Sequence, residues 1–234
     1  MRIRNIVAVT YKQWLDASSV KSIVAQFLLY PALLLVFSIG RDTSARMLML
    51  SILAPMFIGS SPMLTVHSLI REDKTSGALR AMMLAAVRPG EYMAGVSGFL
   101  LGISALSSVL IGILSGLPPR ALLLFTPTMI LASLLTLLLG CAASLHAANQ
   151  SNAVLFITVL SLLNGMIPVL ETVHPAIHPI TRFWYTQQIR DMILSLSLGQ
   201  TETLPLAFGV IGVNLAVILL ALTIAYRRTR LFEV

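Results

Sequence analysis

The sequence predicts an all-α membrane protein with six spanning helices. Around these it predicts an N-terminal interfacial helix, a charged inner stretch between spans two and three, and a polar outer segment before span six. Three observations carry this. The chain is 57% hydrophobic and only 11% charged, against roughly a quarter charged in an ordinary soluble domain. Its mean hydropathy is +0.89. Its apolar residues are gathered into blocks of the ~20 residues that a helix needs to cross a bilayer.

Residues 1–20 hold Arg2, Arg4, Lys12 and Asp16, and no long apolar core follows Arg4, so they do not read as a signal peptide. Ile3, Ile6, Val7, Tyr11, Trp14 and Leu15 recur at helical spacing. That pattern predicts an amphipathic helix in the membrane interface, with Trp14 at headgroup level and its basic residues toward anionic lipid.

The six spans fall at roughly 22–40, 47–70, 92–116, 121–145, 153–170 and 204–226. Pro31 lies in the first, and Pro55 and Pro62 in the second. A bundle tolerates such prolines because neighbours serve the freed carbonyls. Gly98 and Gly102, and Gly112 and Gly116, are each four apart in span three, a spacing that lets helices approach closely. The single cysteine, Cys141, lies in an apolar run and excludes any disulfide within the chain.

Between spans two and three, residues 68–96 carry three of the nine carboxylates: Glu72, Asp73 and Glu91. After Ser76, the apolar residues Leu79, Met82, Met83, Ala86 and Val87 follow helical spacing. This predicts a short helix with one apolar face, ended by Pro89 and Gly90. Before span six, residues 171–203 are too polar to span. "ETVHPAIHPITRFW" is broken by proline. Tyr185, Ile189, Met192, Ile193 and Leu196 then mark a short amphipathic or re-entrant helix, with Gln187, Gln188, Arg190 and Asp191 opposite.

Counting Lys and Arg sets the orientation. With a cytoplasmic N-terminus, the inner side holds eleven: Arg2, Arg4, Lys12, Lys21, Arg71, Lys74, Arg80, Arg88, Arg227, Arg228 and Arg230. The outer side holds five: Arg41, Arg46, Arg120, Arg182 and Arg190. Both termini are expected inside. The net charge of +7 reflects this flanking of apolar runs, not a nucleic-acid face.

Several chemistries find no support. There is no G-x-x-x-x-G-K-[ST], so the chain lacks the phosphate cradle that holds ATP. No nucleophile elbow and no H-E-x-x-H occurs. His174 and His178 are each followed by proline and read as turn residues. No Asp, Glu, Lys or Arg falls inside any expected span. That weighs against an ion-coupled carrier or a channel with charged rings. Asn164 and Asn214 are the candidates for lining a pathway or bonding helices together. An ATP-independent secondary transporter or a membrane assembly subunit is the alternative reading. The first would show a buried ionisable site, the second clustered His, Asp or Glu.

In layout the whole chain resembles the ABC type-2 permeases, the membrane subunits of bacterial ABC exporters. Their inner stretch has the form Arg-Glu-x-x-x-Gly-Thr-Leu, leading to Pro-Val-Ser. Here it stands as "REDKTSGAL", with Glu72, Gly77 and Leu79 matching and Ala78 in place of the threonine. Ala86 takes the proline's place in "AAVRPGEYMAG", and "IHPITRFWYTQQIRDMI" is similar to the family's outer segment. The resemblance implies a single permease domain, residues 1–234, in a bacterial inner membrane. It implies that residues 71–90 are a coupling segment docking on a separate ABC ATPase, two copies of which hold ATP and Mg. Within it, Arg71, Glu72, Asp73, Gly77, Leu79, Arg80, Met82 and Met83 are the expected contacts, with Leu79, Met82 and Met83 as apolar knobs. It implies a second permease copy, no cofactor on this chain, and export of an amphipathic or hydrophobic substrate such as a peptide, toxin, drug or lipid-like molecule.

Overall fold

The computed structural model describes residues 2–19, 21–146, 150–197 and 204–228. Every element among them is helical. In chain order they are α1 (Ile3–Ser19), α2 (Lys21–Ser38), α3 (Thr43–Thr75), α4 (Ala78–Leu84), α5 (Pro89–Leu114), α6 (Pro119–His146) and α7 (Gln150–Val173). A single 3₁₀ turn at Pro175–Ile177 leads into α8 (His178–Thr181), α9 (Tyr185–Ser197) and α10 (Leu204–Arg228).

Five helices are long and apolar enough to cross a membrane: α3, α5, α6, α7 and α10. The expected first span is a shorter apolar helix, Ile23–Ser38. Helix α3 is the hub. It packs on α2, α5, α6, α7 and α9, whereas α10 lies at the edge with most of its surface open. The core follows from this, with Phe57, Ile58, Met63 and Val66 of α3 fully enclosed among residues such as Phe125, Met129 and Ile157.

Helices α3 and α7 approach closely at a pair of glycines. A Cβ on Gly59 would fall 2.4 Å from the Gly165 Cα, so that position has no room for a side chain, and a Cβ on Gly165 would sit tightly at 3.2 Å from the Met56 carbonyl oxygen. Beside it Asn164 donates to the Gly59 carbonyl (3.1 Å). The glycine pairs of α5 contribute less than their spacing suggested. Gly102 faces open space, and Gly116 lies in the turn after the helix at φ +79°. Of the four, Gly112 alone meets a close neighbour, Leu122.

Because α3 leads down to α4 and α5 leads back, α4 marks one end of the bundle. The turns at 39–42 and 115–118 mark the other. The segment after α7 begins at that second end but does not stay there. Tyr185 hydroxyl pairs with Thr136 of α6 (2.7 Å) and accepts from Asn164 of α7 (2.5 Å), and the Phe183 carbonyl accepts from Asn214 of α10 (2.8 Å). At 1.5 Å per residue, Asn164 and Asn214 each lie about 15 Å from the helix end nearest that turn. The chain therefore dips to mid-length of the bundle before α9 climbs back, with Glu171 of α7 beside Arg190 at 3.8 Å. Gln187 and Gln188, expected on an outer polar face, are buried.

Candidate functional site

Helix α4 forms where the sequence expects a short helix, but its ends differ. Gly77, at φ +74°, turns the chain sharply out of α3, a conformation other residues adopt only at a cost. The far end is a Schellman closure. Val87 N–H reaches the Met82 carbonyl (3.1 Å), Ala86 N–H reaches that of Met83 (3.0 Å), and Ala86 takes φ +61°. Pro89 does not end α4. It opens α5, at a position where its missing N–H costs nothing.

Two buried carboxylates flank α4, and α1 bonds to both. Asp73, on the last turn of α3, is 4% exposed. It accepts from the Lys12 ammonium, from Gln13 Nε2 (2.8 Å) and from the Tyr92 hydroxyl (2.7 Å). Lys12 also pairs with Asp16 at 2.9 Å. Burial disfavours the Lys12 ammonium. Its hydrogen bonds to Asp73 and Asp16 outweigh that and raise its pKa above the ordinary lysine value. Glu91, on the first turn of α5, is 1% exposed. It reaches back to the Arg88 N–H (3.2 Å), as a capping residue does, and also accepts from the Arg2 N–H (2.6 Å) and Asn5 Nδ2 (2.7 Å). Its charge suits the positive end of the helix.

Between these two anchors α1 lies directly on α5. A Cβ on Gly95 would come within 2.6 Å of Val9 Cβ, and Thr10 Oγ1 donates to the Gly95 carbonyl (3.0 Å). The other face of α1 leaves Ile3, Val7, Tyr11, Trp14 and Leu15 exposed. The amphipathic pattern thus divides into one face against the bundle and a second apolar face turned away from it.

The expected contact residues separate into two groups. Arg71, Glu72, Gly77 and Arg80 are exposed. Leu79 is 8% exposed and packs in the chain's own core, with Met82 and Met83 half-buried against it. Asp73 is occupied by α1. The apolar side of α4 therefore seats the helix on its own bundle, and the outward apolar residue is Leu84, 83% exposed. Among the candidate pathway residues, Asn164 is 2% exposed. Its Oδ1 accepts from Trp184 Nε1 (2.6 Å), and its backbone carbonyl accepts from Thr186 Oγ1 (2.9 Å). It bonds α7 to α3 and to the segment that leads into α9. Asn214 is half-buried and bonds Phe183 and Val210 carbonyls.

The sequence pattern singles out neither the buried Glu91 nor the exposed Leu84. The signal for Glu91 was its place three residues after Arg88 at a proline-opened helix start. No protein-family model matches the chain, and no curated protein matches it.

Proposed function

We propose that the chain is the membrane permease subunit of an ATP-driven exporter of the ABC type-2 class, with α4 as the helix that couples it to a separate ATPase. In this reading α2 is the sixth span. Its 18 residues cover about 27 Å, close to the ~30 Å hydrocarbon core. Both termini lie in the cytoplasm of a bacterial cell, and the dip through Phe183–Tyr185 is a re-entrant turn from the outer face. Two permease copies pair above two ATPase subunits, which hold ATP and Mg²⁺.

The observation that carries the reading is the double anchorage of α4. A helix that only connected two spans would need no fixed relation to the rest of the inner face. Here the residues on both sides of it, Asp73 and Glu91, are buried and bonded to α1. A push on α4 is thereby shared by the inner ends of α3 and α5 and by α1. The exposed apolar stripe of α1 rests in the lipid interface and gives that unit a surface to move along. ATP-driven closure of the ATPases would press on α4, rock the two permeases about their seam, and release an amphipathic or hydrophobic substrate outward.

The docking surface is carried by Arg71, Glu72, Arg80 and Leu84, with Leu79 holding α4 in place. The test is co-purification with a co-expressed candidate ABC ATPase. Leu84→Asp combined with Arg80→Glu reduces the ATPase retained while leaving thermal unfolding in detergent unchanged. Leu79→Asp instead lowers stability, because it buries a charge. Full ATPase retention and full transport by the Leu84→Asp, Arg80→Glu protein contradicts the docking assignment.

A further inference from the structure

The side of α4 turned away from the bundle has a regular composition. Gly77, Arg80, Ala81, Leu84 and Ala85 recur at helical spacing and are all exposed. Arg80 and Leu84, one turn apart, are the only large side chains among them. The ground around this face is basic. Arg71 and Lys74 on the last turns of α3, and Arg88 at the start of α5, are exposed as Arg80 is. None of these four pairs with a carboxylate among the described residues. Exposed Arg2 joins them, because its backbone N–H and that of Arg88 converge on the Glu91 carboxylate. The carboxylates that could balance this charge are turned inward: Asp73 and Glu91 are buried and bonded to α1. Glu72 is the one carboxylate of residues 71–91 left on the surface.

We infer that the partner of this face is an acidic protein surface, with carboxylates opposite Arg71, Arg80 and Arg88 around an apolar seat for Leu84. The inference rests on the reading of α4 as the docking helix, and it adds the chemistry of the ATPase cleft. An arginine closed off from water needs an opposing charge, so a neutral or basic cleft would be rejected. The guanidinium fork matches a carboxylate with two parallel hydrogen bonds. Lipid headgroups offer the same sign of charge but fit this face poorly. A helix lying on a membrane needs an apolar stripe toward the acyl chains. Helix α1 has one in Ile3, Val7, Tyr11, Trp14 and Leu15. Helix α4 turns Leu79, Met82 and Met83 into its own bundle and shows Leu84 alone outside. One apolar anchor with charges at its rim is the pattern of a protein contact. The small residues Gly77, Ala81 and Ala85 let a firm surface close around it.

The test measures the affinity of the full-length chain, in phosphatidylcholine nanodiscs, for a purified candidate ABC ATPase. With Arg71→Gln, Arg80→Gln and Arg88→Gln combined, affinity in low salt should fall about tenfold. The unfolding midpoint should stay, since all three side chains are exposed. For the unaltered chain, affinity should fall about tenfold between ~0.05 and ~0.5 M salt, and for the triple variant it should hardly change. Binding lost in the Arg80→Glu protein should return when one carboxylate of the ATPase is changed to lysine. Equal affinity of the triple variant and the unaltered chain, or a salt response that the two share, overturns the proposal. If that variant keeps its affinity but loses preferential retention of phosphatidylglycerol over phosphatidylcholine in native mass spectrometry, anionic headgroups are the occupant instead. Failure of the docking reading itself would look different: the unaltered chain would bind no ATPase at any salt concentration.

Discussion

Asp73 and Glu91, the carboxylates on either side of α4, are both buried and both take hydrogen bonds from α1, Asp73 from Lys12 and Gln13 and Glu91 from Asn5. The two sit 18 positions apart in sequence and hold the same helix. Their partners differ in kind. Asp73 is met by the side chains of Lys12, Gln13 and Tyr92, and Glu91 by two backbone N–H groups and Asn5. Helix α1 is thus part of the end of the bundle that carries α4.

Asp73→Asn should lower stability by about 1–3 kcal/mol, because the half-buried Lys12 ammonium loses one of its two counter-charges, keeping Asp16, while other bonds remain. Lys12→Met in the same protein should recover part of that loss. Thermal unfolding of the two single variants and the double variant in one detergent measures the coupling.

Gly95→Ile should detach α1 from α5, since even a Cβ there meets Val9 at 2.6 Å. Trp14 would leave Phe99, so its emission maximum should shift and protease access to residues 2–19 should rise. The rest of the bundle should keep its helical content by circular dichroism.

Ala86→Gly should stabilise the chain by roughly 0.5–1 kcal/mol. Ala86 pays the left-handed penalty at φ +61°, which glycine avoids, though glycine loses more freedom on folding. A rise in the unfolding midpoint checks this, with no change expected in ATPase association, because the backbone path is the same.

Burial, with Glu171 nearby, raises the Asp191 pKa above the ordinary carboxylate value. The folded chain therefore holds this proton more tightly than the unfolded one. Its contribution to stability is full below the unfolded value and declines as pH rises through the folded one. Asp191→Asn should stabilise the protein at neutral pH, and that gain should vanish at low pH. Unfolding midpoints across the acid range for both proteins would reveal it.

Much of this architecture was legible in the sequence, for reasons that also mark where legibility ended. Long apolar helices announce themselves by length and apolarity, so α3, α5, α6, α7 and α10, and the shorter apolar α2, begin and end within a few residues of expectation. Helix α4 was legible as a helix with one apolar face. Periodicity does not say what covers that face, so Leu79, Met82 and Met83 read as outward knobs although they pack on their own bundle. Asp73 and Glu91 bond to residues 60 or more positions away, a separation that local pattern does not register. Gln187 and Gln188 read as a wet face. They are enclosed because Asp191 and the Arg182 carbonyl accept their amide protons. Pro89 and Gly90 read as a stop, yet proline is as much at home in the first turn of the next helix.

The most direct test places Leu84. A Leu84→Cys, Cys141→Ser protein is treated with a membrane-impermeant maleimide in right-side-out and inside-out vesicles. The account predicts labelling only in inside-out vesicles, and loss of that labelling when the ATPase is bound. Labelling of right-side-out vesicles, or labelling that the bound ATPase leaves unchanged, would contradict it.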